Sequence, residues 1–284
     1  KIFNSFNKVL YNQVIKMRDK KNIYKSVLTI AGSDSGGCAG IQADIKSISA
    51  CGAFAASVIT ASTAQNTQGV MDIHSIPTDH IEKQLDAVLN DIKFNAIKIG
   101  MLNSSGIIEL VKTKLIEYNI KNIVIDPVMI ATSGHKLIND SSINSLKEFL
   151  PHAILITPNC FEAEILIGKK VNFENAPMIA TELGHNFNTS VLLKGGHIDN
   201  KNSDITDFLF IKEINKIYKV VNQKVVTNNT HGTGCSLSSS IAAFLSQGFD
   251  LKTSVFNGCN YVNNAINNGK KMILGNGNGP INHF

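Results

Sequence analysis

The sequence predicts an α/β fold of three layers, α/β/α, around a central, mostly parallel sheet with a late antiparallel hairpin. Three observations predict it. From Ser26 onward, short apolar runs alternate with amphipathic segments of helical period, the pattern of repeated βαβ units. The apolar runs are short and bounded by glycine and polar clusters, as expected of strands covered on both faces. Hydrophobic residues make up 43% and charged residues 17% of the 284 positions, which suits one domain with a well-buried core.

The elements follow in order. A first strand over 27–31 runs into a glycine loop and a helix over 39–51. A second strand over 56–60 is followed by the polar segment 60–67 and a helix over 78–91. Strands over 96–101, 122–128, 153–157 and 190–194 come next, separated by helices over 105–118, 142–150, 160–168 and 176–186. Two apolar runs, 205–211 and 216–221, bracket the turn-like Lys212-Glu213-Ile214-Asn215 and read as the antiparallel hairpin. Helices over 234–247 and 251–268 complete the body. In such sheets ligands gather beyond the C-terminal ends of the strands.

Charge separates a short extension from this body. Residues 1–25 hold seven Lys/Arg against the single acid Asp19, so the rest of the chain carries 20 basic and 21 acidic residues. The net charge of +5 therefore does not describe a basic face on the fold, and a nucleic-acid partner loses its support. Phe3, Phe6, Val9, Leu10, Val14 and Met17 fall at helical spacing in the extension, which is either a helix packed on the body or part of a targeting sequence. The division is 1–25, extension, and 26–284, catalytic domain. No apolar run reaches the roughly 20 residues that span a bilayer, so no membrane partner is expected. Five cysteines, an odd number without a CxxC pair, predict reduced thiols and a cytoplasmic setting, with organelle targeting left open by the extension.

The strongest motif is Thr230-His231-Gly232-Thr233-Gly234-Cys235, a glycine turn opening a helix. Such a turn aims free backbone N–H groups and the positive end of the helix dipole at one point, forming an anion hole with Cys235 at its lip. Arg18 is the only arginine, so phosphates would be held by lysine, backbone N–H groups and metal ions. The loop Gly32-Ser33-Asp34-Ser35-Gly36-Gly37-Cys38-Ala39-Gly40 has neither GxGxxG spacing nor a GK[ST] ending, which excludes a dinucleotide fingerprint and a Walker A loop. Asp126, at a strand end, is either a turn former or a carboxylate for phosphate-bound Mg²⁺. Asn159 and Glu162 stand three apart across a helix start, as a cap or as organisers of hydrated Mg²⁺. Lys194 brings a cation to another strand end, followed by Gly195-Gly196-His197. Gln65 offers donors and an acceptor suited to a heteroaromatic edge, and the glycine-hinged segment 130–139 is long enough to act as a lid.

In combination, LTIAGSD (28–34), AGIQAD (39–44), SVITASTAQNTQGV (57–70), KIGML (98–102), DPVM (126–129), TPNCFEAE (157–164), KGGH (194–197) and HGTGC (231–235) make the chain resemble the ribokinase superfamily. Within it, the resemblance is to the hydroxymethylpyrimidine/phosphomethylpyrimidine kinases of thiamine biosynthesis. It implies a ribokinase-like fold, a homodimer, and ATP- and Mg²⁺-dependent phosphorylation of 4-amino-5-hydroxymethyl-2-methylpyrimidine and then of its monophosphate. By position, Gly32, Asp44, Gln65, Met101 and Val128 would line the pyrimidine pocket. Asn159, Glu162, Lys194, Thr230 and Gly234 would serve ATP, with Asp126 and Glu162 toward the metal. Cys235, Gly232, Gly234 and Lys194 would carry the transfer, and a thiol at a helix N-terminus is expected to have a lowered pKa. The first loop departs from the more usual SDSSGGAG, with Gly36 in place of serine and Cys38 in place of glycine. Two other readings are a pyridoxal kinase, against which the lid contains no cysteine, and a catalytically silent pyrimidine-binding relative.

Overall fold

The computed structural model describes residues 23–129, 140–196 and 204–284. The expected helix of the extension, apart from residues 23–25, the lid 130–139 and His197 lie outside the described residues.

Nine strands form one sheet among the described residues: β1 (Ser26–Asp34), β2 (Phe54–Asn66), β3 (Gly69–Ser75), β4 (Ala96–Ile99), β5 (Ile123–Ile125), β6 (Leu155–Ile156), β7 (Ser190–Leu193), β8 (Asp204–Ile211) and β9 (Lys216–Gln223). Their spatial order is β3-β2-β1-β4-β5-β6-β7-β8-β9. From β2 through β7 neighbours run parallel, and the antiparallel pairs are β2–β3, β7–β8 and β8–β9.

Alternation along each strand builds two cores. Leu28, Ile30, Ile97, Ile99, Ile123, Ile125, Ile156, Val191 and Leu193 face one side. There they meet α2 (Thr78–Leu89), α3 (Ser105–Glu117), α4 (Asp140–Phe149), α5 (Cys160–Ile167) and α6 (Ala176–Asn186). Val27, Ala96, Val124, Leu155, Leu192 and Leu209 face the other side, packed against α1 (Gly40–Ala50), α7 (Thr233–Ser246) and α8 (Leu251–Gly269). The expected three layers are therefore present.

Sequence order reverses between β1 and β4. The crossover through α1 leads from β1 to β2 in one direction, whereas α3 leads from β4 to β5 in the other. Right-handed crossovers in opposite directions place α1 and α3 on opposite faces and open a crevice beyond the strand ends at this switch point.

Two elements differ from the sequence reading. The segment 60–67, read as a loop after a short strand, continues β2 to Asn66, and β3 pairs back on it. Asn66 Oδ1 accepts from the N–H groups of Gln68 and Gly69, closing the turn between them. The C-terminal residues after α8, to which the sequence reading assigned no element, form a strap. Asn278 N–H donates to the Thr67 carbonyl, and His231 N–H donates to the Gly279 carbonyl.

Candidate active site

The first loop is organised by a single carboxylate. Asp34 ends β1, and its oxygens accept from the N–H groups of Gly36 (2.8 Å), Cys38 (2.9 Å) and Ala39 (2.8 Å). Its own N–H donates to Gln42 Oε1 on α1. Gly32, just before it, lies against Met101: a Cβ there would meet the methionine methyl at 2.8 Å. Gly32 and Met101 thus converge across the β1/β4 crevice, and Met101 and Val128 are each partly exposed.

Gln65, on β2, is partly exposed at the same end of the sheet. Its side-chain Nε2 stands 3.0 Å from His231 Nε2, and its Oε1 is 3.1 Å from the Thr63 hydroxyl. His231 was quoted within the glycine-turn motif without a role of its own; its contact to β2 spans 166 residues and no local pattern signals it.

Asp44 does not line the crevice. Its position on α1, in step with Ile41, Ser47 and Ile48, turns it into the interior, where it is fully buried. Oδ1 accepts from Lys98 (2.8 Å) and Ser239 (2.7 Å), and Oδ2 from Lys98 (2.8 Å) and Thr29 (2.5 Å). Four contacts from three donors fill the acceptor capacity of a carboxylate, so the assignment of Asp44 to the ring is corrected: it is the counter-ion of a buried lysine. Lys98 alternates with Ile97 and Ile99 on β4 and so points to the α1/α7 side. Burial depresses its pKa, but Asp44, and beyond it Cys235 and Asp126, raise it further, and the net shift is upward.

A second charged group lies at the ends of β5, β6 and β7. Lys194 Nζ donates to Asp126 Oδ1 at 2.8 Å and stands 4.0 Å from Glu162 Oε2. Thr157 Oγ1 also donates to Asp126 Oδ1, at 3.0 Å. Asn159 and Glu162 form a reciprocal cap of α5: Asn159 N–H to Glu162 Oε2 at 2.8 Å, and Glu162 N–H to Asn159 Oδ1 at 2.9 Å. The cap fixes the Glu162 carboxylate beside Lys194. Burial pushes the Glu162 pKa up to about 7, Lys194 opposing and Asp126 adding to the rise. Burial would lower the Lys194 pKa, but Asp126 and Glu162 overcome it and hold the ammonium charged.

The glycine turn closes the site. Gly232 precedes α7 at φ 81°, and a Cβ there would collide with the Cys38 carbonyl of the first loop. The two glycine loops are therefore in backbone contact. Thr233 N–H is tied back to the Thr230 carbonyl and Ser236 N–H bonds Gly232 O. The N–H groups of Gly234 and Cys235, between them, lie in the first turn, where a helix has no internal acceptors. Gly234 itself sits at the charged group: its missing Cβ would lie 3.4 Å from Lys194 Nζ and 3.5 Å from Asp126 Oδ2.

Cys235 departs from expectation. Burial raises its thiol pKa to about 11, outweighing the lowering by the Lys98 charge and the Gly40 N–H, while Asp44 and Asp126 add to the rise. Loss of water, with the neighbouring carboxylates, exceeds what Lys98 and the Gly40 N–H contribute here.

Two carboxylates facing one ammonium leave a net negative charge beside a helix N-terminus. Mg²⁺ takes one or two carboxylates and completes its shell with water and phosphate oxygens. Asp126 and Glu162 fit that donor set, although the described residues contain no cluster of three ligating side chains.

A glycine-lined crevice at a sheet's switch point, with an ammonium, two carboxylates and a helix N-terminus at one end, defines an α/β phosphotransferase of ribokinase-like fold. The family of phosphomethylpyrimidine kinases matches residues 34–282. A bifunctional thiamine biosynthesis protein of Geobacter sulfurreducens is 44% identical over 261 residues, 91% of this chain and 52% of that protein. The chain thus spans about half the length of such bifunctional relatives. It covers 96% of the hydroxymethylpyrimidine/phosphomethylpyrimidine kinase of Rhizobium meliloti, at 40% identity over 90% of this chain. Among solved structures, a phosphomethylpyrimidine kinase of Clostridium difficile superposes with TM-score 0.74 at 40% identity, covering 85% of this chain and 99% of that one. A Staphylococcus aureus pyridoxal kinase in complex with AMP-PCP and pyridoxal gives TM-score 0.82 at 31% identity, covering 92% and 94%. The chain belongs to the phosphomethylpyrimidine kinase family.

Proposed function

We propose that this protein transfers phosphate from ATP to the hydroxymethyl group of 4-amino-5-hydroxymethyl-2-methylpyrimidine and then to the resulting monophosphate. The observation that carries the reading is Lys194, held charged by Asp126 and Glu162 against the first turn of α7. Phosphoryl transfer asks for charge neutralisation and alignment more than for covalent chemistry. Lys194 and the N–H groups of Gly234 and Cys235 would receive the equatorial oxygens of a transferring phosphoryl group. Asp126 and Glu162 would hold Mg²⁺, which supplies further neutralisation of the phosphates. Thr230 and Asn159 would serve the nucleotide.

The pyrimidine would lie in the crevice among Gly32, Gln65, Met101 and Val128, which directs its hydroxymethyl group toward Cys235. With its thiol pKa near 11 in the free protein, Cys235 is protonated at neutral pH. Only the thiolate accepts a proton, so Cys235 would act as base through its small deprotonated fraction, late in the transfer when the hydroxyl has become strongly acidic.

The test is mass spectrometry of the products formed from Mg-ATP with equimolar hydroxymethylpyrimidine and pyridoxal. Pyrimidine mono- and diphosphate are the expected products. Predominant pyridoxal phosphate would reject the assignment, as would the absence of any phosphorylated product.

A further inference from the structure

The Gln65 amide is held from both sides before any ligand arrives. Its Nε2 faces His231 Nε2 at 3.0 Å, and its Oε1 lies 3.1 Å from the Thr63 hydroxyl, whose single proton is shared with the Ser33 carbonyl at 3.1 Å. His231 is only 7% exposed and is clamped in turn by the C-terminal strap. Its backbone N–H donates to the Gly279 carbonyl. The strap also holds the turn that follows Gln65: Gly277 N–H donates to Thr67 Oγ1 at 3.1 Å, and Asn278 N–H to the Thr67 carbonyl at 3.0 Å.

An amide NH₂ only donates, so His231 Nε2, facing Gln65 Nε2, is the acceptor of that bond. Burial lowers the His231 pKa, with Asp34 opposing, and keeps the ring neutral with one N–H. Nε2 is then a bare acceptor. Gln65 presents its NH₂ to His231 and its oxygen to Thr63.

We propose that His231 is a positioning residue that fixes the orientation of the Gln65 amide, and that this makes the site select a ring with an amino group beside a ring-nitrogen acceptor. The selectivity rests on the substrate reading above. After the bonds to His231 and Thr63, the amide keeps one N–H and one carbonyl lone pair. A ring nitrogen can accept from that N–H while the adjacent amine donates to the oxygen, as a matched pair. A reversed amide would set donor against donor and acceptor against acceptor, and a ring without the amine would leave the oxygen unpaired.

The experiment compares wild type, His231→Phe and His231→Gln, each as the full chain with Mg-ATP, on the aminopyrimidine substrate and its 4-desamino analogue. For His231→Phe, KM for the aminopyrimidine should rise about tenfold and the amino/desamino preference in kcat/KM should fall about tenfold, with KM for ATP unchanged. His231→Gln, whose amide oxygen can replace Nε2 as acceptor, should restore the preference. Equal losses on both compounds, or no recovery with glutamine, would overturn the assignment. Should the phenylalanine variant not fold, ¹⁵N NMR of the wild-type imidazole decides. A neutral ring protonated at Nδ1 supports the proposal, and a ring protonated at Nε2 sinks it. Wild-type protein that phosphorylates neither compound would reject the substrate and its selectivity, while the NMR result still decides whether His231 orients Gln65.

Discussion

Lys98 Nζ stands 2.8 Å from both carboxylate oxygens of Asp44, and both side chains are wholly excluded from solvent. The pair joins β4 to α1, and Ser239 joins it to α7, behind the glycine turn. Removing one member leaves an uncompensated charge in the core. Asp44→Asn should therefore destabilise the protein by roughly 3–5 kcal/mol, whereas Lys98→Met combined with Asp44→Leu should recover much of that loss. Urea denaturation of the three proteins measures it. A loss below about 1 kcal/mol in the single variant would mean that water reaches the site.

Glu162 predicts a pH dependence with a definite sign. Its pKa is about 7 in the folded protein against an ordinary 4.5. Between those values the folded state holds a proton that the unfolded state has released, so stability falls as pH rises. The penalty is absent below 4.5 and complete above about 7. Glu162→Gln keeps a capping-box side chain and removes the titration. The difference in stability between wild type and variant should therefore grow, against wild type, from pH 4.5 to 7 in the absence of nucleotide and metal. A pH-independent difference would place the carboxylate in a more solvated setting.

The parts of this site that were legible in the sequence are those with local signatures. Glycine loops, strand-end Asp126 and Lys194, and the Asn159/Glu162 spacing all sit in short motifs tied to backbone geometry. The continuation of β2 was hidden because Ser62, Thr63 and Gln65 are polar and the strand lies toward the sheet edge, where burial imposes no apolar run. The strap was invisible for a similar reason. Its Gly275-Asn276-Gly277-Asn278-Gly279 has no apolar residue to mark a buried face, and its path is set by Thr67 and Asn229, far away in the chain. Asp44, which the resemblance put in the pyrimidine pocket, turns inward to a lysine 54 residues away that no local pattern links to it.

Cys235 should be a slow nucleophile in the free protein. A thiol with a pKa near 11 carries about a hundredfold less thiolate at neutral pH than one at the ordinary value. Alkylation by iodoacetamide at pH 7.5, followed by peptide mass mapping, should be correspondingly slow at Cys235 and accelerate as pH rises. Cys235→Ala should lower kcat by at least tenfold while leaving ATP affinity within about threefold. Equal losses in both would assign the side chain to packing.

Gly232 and Gly106 make opposite predictions for one substitution. Gly232 holds φ 81° with the Cys38 carbonyl where a Cβ would go. Alanine there must distort the α7 turn, the first loop, or both, at a strain cost of roughly 1–3 kcal/mol. Since Gly234, Cys235 and Gly32 all depend on those two loops, turnover should fall by more than stability alone explains, with KM for ATP and for pyrimidine both raised. Gly106 lies inside α3 with open space around its Cα, so Gly106→Ala should stabilise by about 0.5–1 kcal/mol and leave turnover unchanged. Thermal melts with initial rates on both variants separate the cases. Wild-type kinetics in Gly232→Ala would show that the two loops need not touch for the site to work.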